Sequence, residues 1–256
     1  MTSTAWVSDV SGQLAAASEA QQHFTQHWPQ AFDTVNYSAR CRQLCELGGD
    51  CCGFIPLPGR RLALFIADAS GKGLPAALSI AGVQSSLRTA VAFAGCNLAA
   101  VVNVVNREVH AWSEAGKFAT LFFGVFDEVT NTLRYVNAGH NPALLLRQDG
   151  SALSLAATGL PVGMFPDSTY EEDEVQLSHG DLLIAYTDGI TEATDPAGEE
   201  LGVERLRWAA THNPGQDAEG VVQAIFNTVD KFSCGRHDDD ATVLVLQAAA
   251  PLGKYW

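Results

Sequence analysis

The stretch from Arg61 to Leu78 constrains the fold more than any other part of the chain. Leu62-Ala63-Leu64-Phe65-Ile66-Ala67 is continuously apolar and is bounded by Arg61 and Asp68. An apolar run of that length, followed by turn residues, reads as a buried strand. Gly71 and Gly73 come next, and glycine opens backbone angles that other residues rarely adopt. Leu74-Pro75-Ala76-Ala77-Leu78 then reads as a helix start, with proline in the first turn. Asp68 therefore stands where a rigid strand gives way to a tight turn. A carboxylate fixed there suits a metal ligand or a catalytic base. A turn-capping aspartate is the plainer reading of the same residue.

The flanking residues extend this unit into a sheet. Residues 12–28 read as an alanine- and glutamine-rich helix stopped by Pro29, with His23 and His27 on one face. Thr34–Leu44 alternates as a strand, with Val35, Tyr37, Ala39 and Cys41 on one side. Gly48-Gly49-Asp50 turns into a strand over Cys51–Leu57, and Pro58-Gly59-Arg60 turns that strand back toward Leu62. Asp50 and Asp68 are thus expected at the ends of neighbouring antiparallel strands.

Helices are expected over 74–93 and 97–115, the second burying Ala99, Val102, Val105, Val109 and Trp112. Strands are expected over Phe118–Asp127, Thr132–Ala138, Pro142–Arg147, Tyr170–Leu177 and Asp181–Tyr186. After Thr187-Asp188-Gly189, 203–211 and 217–231 read as helices and Ala241–Gln247 as a closing strand. Many antiparallel strands with helical pairs inserted imply one layered α+β domain. Its expected bounds are 34–248, after a helical lead-in over 1–33 and before a tail over 249–256.

Charge narrows the possible partners. The net charge is −14, from 29 acidic and 15 basic residues. That balance disfavours nucleic acid, whose phosphates need cationic side chains. It also means that a phosphorylated substrate can be received only if cations stand between it and the protein. No apolar run approaches the ~20 residues that span a bilayer, and Met1–Trp6 lacks the pattern of a secretion signal. A cytoplasmic protein without a membrane association is expected. Cys41, Cys45, Cys51 and Cys52 do not have the spacing of a paired zinc motif. Vicinal Cys51 and Cys52 read as small packed hydrophobes.

Several isolated aspartates fall at strand edges. Asp50 follows two glycines, Asp68 precedes a glycine turn, Asp188 precedes Gly189, and Asp238-Asp239-Asp240 precedes the last strand. In a sandwich of sheets, such ends converge at one rim. Clustered carboxylates repel unless cations hold them. Hard ions such as Mg²⁺ or Mn²⁺ prefer carboxylate, carbonyl and water ligands. Two such ions ~4 Å apart activate a water and accept a phosphate, which resolves the charge problem. Each aspartate taken alone also fits the role of a strand terminator.

The pieces occur in a telling order: Gly48-Gly49-Asp50, then Asp68-Ala69-Ser70-Gly71-Lys72-Gly73 with Ala76-Ala77, then Asn137-Ala138-Gly139-His140-Asn141-Pro142. Gly159-Leu160-Pro161-Val162-Gly163 follows, then Gly180-Asp181, Tyr186-Thr187-Asp188-Gly189-Ile190-Thr191-Glu192-Ala193, and Asp239-Asp240-Ala241-Thr242. Over about residues 34–247 the chain resembles the bacterial PP2C-type (PPM) serine/threonine phosphatases of the sporulation stage II protein E and stress-regulator group.

That resemblance implies an α-β-β-α layered antiparallel sandwich and two divalent cations, Mn²⁺ or Mg²⁺. It implies that Asp68 bridges both ions and that the Ala69 carbonyl completes one shell. Asp188 and Asp239 bind the other ion, and Asp50 binds directly or through water. Asp240 replaces Asp239 if the register slips by one. His140 and His237 are candidate acids, although a hydrogen-bonded turn histidine suits His140 better. Lys72 is either a phosphate contact or simply exposed. The resemblance further implies hydrolysis of phosphoserine or phosphothreonine by activated water. The implied substrate is a phosphorylated protein, an anti-sigma-factor antagonist in a partner-switching circuit.

Two features depart from the family. Cys51-Cys52-Gly53 replaces the usual aromatic pair and further aspartate. No sensor or receiver domain is recognisable before residue 34, which suggests a stand-alone enzyme, or one regulated by a partner or by self-association through the N-terminal helix. A non-catalytic binding module and a hydrolase of small phosphoesters are the competing functions.

Overall fold

The run around Leu64 is apolar throughout because both of its faces are covered. In β3 (Arg61–Ala69), Leu62, Leu64 and Ile66 enter one core, while Ala63, Phe65 and Ala67 enter another. A strand's two-residue period dictates this division. The computed structural model describes residues 12–21, 32–94, 97–114, 116–212 and 217–249. Residues 22–28 of the expected first helix, with His23 and His27, lie outside these.

The other strands are β1 (Val35–Arg42), β2 (Asp50–Leu57), β4 (Ala119–Asp127), β5 (Thr132–Ala138), β6 (Ala143–Leu146), β7 (Ala152–Leu155), β8 (Asp173–Gln176), β9 (Leu182–Tyr186) and β10 (Ala241–Ala248). They form two five-stranded sheets in the orders β1-β10-β9-β6-β7 and β2-β3-β4-β5-β8. Every ladder within them is antiparallel. The helices are α1 (residues 12–21), α2 (Leu74–Ala94), α3 (Leu98–Trp112), α4 (Asp188–Thr191), α5 (Gly202–Thr211) and α6 (Ala218–Phe232).

Three apolar clusters mark the layer boundaries. One lies between the sheets, around Tyr37, Leu64, Phe122, Leu183 and Leu244. A second joins the β3 sheet to α2 and α3 through Phe65, Ile80, Leu87, Val105 and Phe123. The third joins the β10 sheet to α5 and α6 through Ile184, Leu206, Ile225, Phe226 and Val243. The result is the α-β-β-α sandwich that the motif order implied. Each such fully buried side chain contributes roughly 1.5–3 kcal/mol. An exposed ion pair such as Arg205–Glu199 contributes at most about 1 kcal/mol, so the three cores hold the fold.

The helices start where their sequences allow. Gly73, at φ +72, precedes α2, and Ala76, Ile80, Val83, Leu87 and Val91 then face the sheet at helical spacing. Asn97 caps α3 by accepting from Ala100 N at 2.9 Å. Asp217 caps α6 by accepting from Gly220 N at 2.9 Å.

Some boundaries differ from expectation. The chain becomes helical earlier than the expected 203: Thr187 is an N-cap and Asp188 opens the one-turn helix α4. The strand expected over Tyr170–Leu177 pairs only as Asp173–Gln176. Tyr170 instead packs against the α2–α3 layer and donates its hydroxyl to Asn106 Oδ1 at 3.1 Å. Edge strand β7 was not anticipated, because only Leu155 of its residues is buried. Trp112 is 43% exposed and lies over Gly82, where an added Cβ would come within 2.8 Å of its ring. A ring seated over a glycine on the neighbouring helix needs no place in the core.

Among the described residues, no helix is long and apolar enough to cross a membrane. Helix α1 lies beside α2, and a cavity of about 520 Å³ between them is lined by Leu14, Ala17, Leu47, Leu78 and Ile80, with Asp50 and Cys51 also on its wall.

Candidate active site

Strand parity brings the site together. In the β2–β3 ladder Asp50 stands opposite Asp68, and in the β3–β4 ladder Asp68 stands opposite Thr120. Cross-strand partners share a face. Two residues along these strands, Cys52, Ile66 and Phe122 point into the inter-sheet core, so Asp50, Asp68 and Thr120 share that inner face at the end of the sandwich. The facing sheet ends in the same way. Beyond the inward-facing Ala185 and Leu244, Thr187 and Thr242 reach across to Asp50. Asp50 Oδ2 accepts from Thr187 Oγ1 at 2.8 Å and from Thr242 Oγ1 at 2.7 Å. Thr242 N in turn donates to Thr187 Oγ1 at 2.9 Å.

Asp50 is buried, at 3% exposure. Burial raises its carboxyl well above the ordinary range, and the Asp68 charge raises it further, against the two threonine hydroxyls. Burial, then the charges of Asp188, Asp239 and Asp240, push Asp68 up to about 7. Asp188 is raised by burial and then by Asp239. Glu192 is raised chiefly by Asp188. The structure therefore gathers Asp50 of β2, Asp68 of β3, Asp188 at the start of α4 and Asp239 just before β10 into one electrostatic unit.

Asp239 and Asp240 have different work. Asp240 Oδ1 accepts from Leu44 N at 2.7 Å, and Oδ2 accepts from Gly49 N at 2.6 Å. Ala69 N donates to Gly49 O at 2.9 Å from the other side. The turn that carries Asp50 is thus held by Asp240 and by the end of β3. An added Cβ on Gly48 would come within 2.6 Å of Asp240 Oδ2, and one on Gly189 within 2.0 Å of the Asp240 carbonyl oxygen. Both glycines are needed for this close approach. Asp239 instead turns its Oδ2 to Lys72 Nζ at 2.6 Å. Lys72 Nζ also donates to the Asp238 carbonyl at 3.0 Å.

The donor set suits a hard divalent cation. It consists of carboxylates raised by burial and then by one another's charge, with the strand-end carbonyl of Ala69 beside Gly49. Among the described residues no three acidic, thiol or imidazole side chains close on a single point. Asp50 is turned to the two threonines and Asp239 to Lys72, so water and backbone oxygen would fill the rest of a shell.

The histidines stand apart from this chemistry. His140 is buried, its Nδ1 lies 2.7 Å from Thr120 Oγ1, and its backbone N–H donates to Asn137 Oδ1 at 2.8 Å. Burial pushes its imidazole down to about 4, so it is neutral near pH 7 and serves the turn. His237 Nε2 lies 3.1 Å from Arg42 Nη1 and 3.6 Å from Asp230 Oδ1. Cys51 and Cys52 are buried on opposite faces of β2, in different cores. Thr120 was not singled out in the sequence, and Thr187, Thr242 and Glu192 stood in its motifs without a role. Inward parity at the ends of β4, β9 and β10 is the signal that would have found the threonines.

Helix α1 touches the site's frame. Gln21 Nε2 donates to Gly48 O at 2.9 Å, and Gln21 Oε1 accepts from Gln43 Nε2 at 2.7 Å and from Gly48 N at 3.3 Å.

Comparison with known proteins places the chain's family and fold. Residues 58–249 match the family described as stage II sporulation protein E (SpoIIE). Protein IcfG of Synechocystis is 46% identical over 96 residues, which are 38% of this chain and 15% of that protein. Phosphoserine phosphatase RsbU of Bacillus subtilis is 27% identical over 205 residues, 79% of this chain and 60% of RsbU. The chain therefore spans less than two thirds of either relative. The SiaA-PP2C domain of Pseudomonas aeruginosa superposes with a TM-score of 0.83 at 18% identity, covering 95% of this chain and 98% of that domain. The catalytic domain of serine/threonine phosphatase PstP, solved in complex with two manganese ions, superposes with a TM-score of 0.63 at 18% identity, covering 85% of this chain and 99% of that one. These structures share the fold.

Proposed function

The chain belongs to the SpoIIE family of PP2C-type phosphatases, and from that premise we propose that it is a metal-dependent protein phosphatase acting on phosphoserine or phosphothreonine. The observation that carries the reading is the mutual charge of Asp68, Asp188 and Asp239 at one end of the sandwich, with Asp50 opposite Asp68. A scaffold protein gains nothing from crowding these carboxylates.

In this reading Asp68 and the Ala69 carbonyl would help to hold two divalent cations, Mn²⁺ or Mg²⁺. Asp188 and Asp239 would complete the hold, and Asp50 would act directly or through water. Bound there, the cations supply the Lewis acidity that readies a water for attack and offsets charge on the phosphoryl oxygens. The chain's own part is positional. Thr187 and Thr242 fix Asp50, and Asp240 fixes the glycine turn that carries it. The buried thiols take no part.

The substrate we infer is a small phosphorylated regulator of the anti-sigma-factor antagonist kind, and the location cytoplasmic. What supports this is the likeness to phosphoserine phosphatase RsbU and the absence, among the described residues, of a membrane-crossing helix. The contact of Gln21 with Gly48 supports control through α1, by a partner or a second copy. Phosphate release from a phosphoserine protein and from an aryl phosphate, each with and without Mn²⁺, tests the proposal. Mn²⁺-dependent release with preference for the protein is expected. Preference for the aryl ester would make the chain a small-phosphoester hydrolase, and no release from either a binding module.

A further inference from the structure

Lys72 sits among the acidic side chains in an unusual way. Its ammonium is bound by one carboxylate oxygen, Asp239 Oδ2 at 2.6 Å, and one backbone carbonyl, Asp238 O at 3.0 Å. Those are the two oxygen types that a hard cation selects. Asp239 Oδ1 already accepts from Asp240 N at 2.9 Å, so Oδ2 is the oxygen left for a cation, and Lys72 holds it. The lysine lies between Gly71 and Gly73, both at positive φ (+103 and +72). Its side chain is 62% exposed, so it can swing away into solvent. An exposed ion pair is weak enough to be exchanged.

Resting on the metal-dependent reading above, we propose that Lys72 and a divalent cation compete for the Asp239 carboxylate, Lys72 being a built-in placeholder that sets the affinity of the site. The ammonium offsets the charge that Asp188, Asp239 and Asp240 press on one another. It leaves Asp239 when an ion arrives, because two cations on one carboxylate oxygen repel. The lysine so keeps an acidic rim from holding its ion too tightly.

The test is Mn²⁺ titration calorimetry on the full chain after chelation, comparing wild type with Lys72→Met. The variant keeps the length of the side chain at an exposed position and removes its charge. The expected result is tighter Mn²⁺ binding, by up to about fivefold, the exchange value of an exposed ion pair. A second readout separates competition from a bystander charge. The ammonium signal of Lys72 in a ¹H–¹⁵N spectrum, assigned by its loss in Lys72→Met, is slowed in exchange by the ion pair and is expected to vanish as Mg²⁺ saturates the protein. Equal Mn²⁺ affinity in the two proteins, or an ammonium signal that survives saturation, overturns the placeholder and leaves the phosphatase reading standing. Absence of Mn²⁺ binding in both proteins overturns the two together.

Discussion

Asp50 and Asp68 stand directly opposite one another in the β2–β3 ladder: the charge of Asp68 raises the buried Asp50 carboxyl, while a hydrogen bond with Asp50 draws Asp68 down. Like charges at paired positions destabilise a sheet. The chain keeps the pair, buries Asp50, and anchors it with hydroxyls from the opposite sheet. Four consequences can be measured.

The first concerns pH. Asp68 is pushed up to about 7, and Asp50 and Asp188 are raised as well. A carboxyl whose folded pKa exceeds its unfolded value takes up a proton on folding. Its contribution is complete below the unfolded value of about 3.8 and is lost as pH rises through the folded value. In EDTA the melting temperature should therefore fall from about pH 5 to about pH 8. Added Mn²⁺ should remove most of that fall. A melting temperature in EDTA that rises over this interval would contradict the assignment.

The second concerns the shared carboxylates. Asp68→Asn and Asp188→Asn should each lower Mn²⁺-dependent phosphate release by at least about a hundredfold, the scale of losing a group that stabilises developing charge. Their melting temperatures in EDTA should match or exceed that of wild type, because a repelling charge is gone. Full activity in both variants would displace the site.

Much of this arrangement was readable from the residues alone. The run at Leu62–Ala67, bounded by charge on one side and glycines on the other, announced β3, and the alternation of Val35, Tyr37, Ala39 and Cys41 announced the inner face of β1. Local signals of that kind act within one element. Trp112 looked like core because an aromatic at helical spacing usually is, and only the glycine on the neighbouring helix explains its exposure. Asp239 and Asp240 could not be told apart in sequence, since their difference lies in bonds to Leu44, Gly49 and Lys72. The threonines that hold Asp50 come from two strands 55 residues apart, and no local pattern links them.

The third prediction separates those two aspartates. Asp240→Ala removes acceptors from Leu44 N and Gly49 N and should cost about 1–3 kcal/mol of stability, seen as a lower urea midpoint. Asp239→Ala breaks only a half-exposed pair with Lys72 and a bond from Asp240 N. It should leave the midpoint within about 1 kcal/mol while removing phosphate release. The reverse pattern would exchange their roles.

The fourth concerns the threonines. Thr242→Val leaves the buried Asp50 Oδ2 with one hydroxyl in place of two. A weakened buried acceptor costs about 1–3 kcal/mol, and Asp50 should become harder still to ionise. Mn²⁺ binding measured by calorimetry should weaken, and more steeply at low pH. A variant with unchanged stability and affinity would show that Asp50 needs no grip from the opposite sheet.

That grip has a mechanical meaning. Because one carboxylate of the β2 end is tied to hydroxyls at the ends of β9 and β10, the gap between the two sheets is itself a dimension of the proposed site. Any force that slides one sheet over the other, whether from a helix leaning on Gly48 or from a partner pressing on the outer layers, would be felt first at Asp50, as a change in reach rather than a change in chemistry.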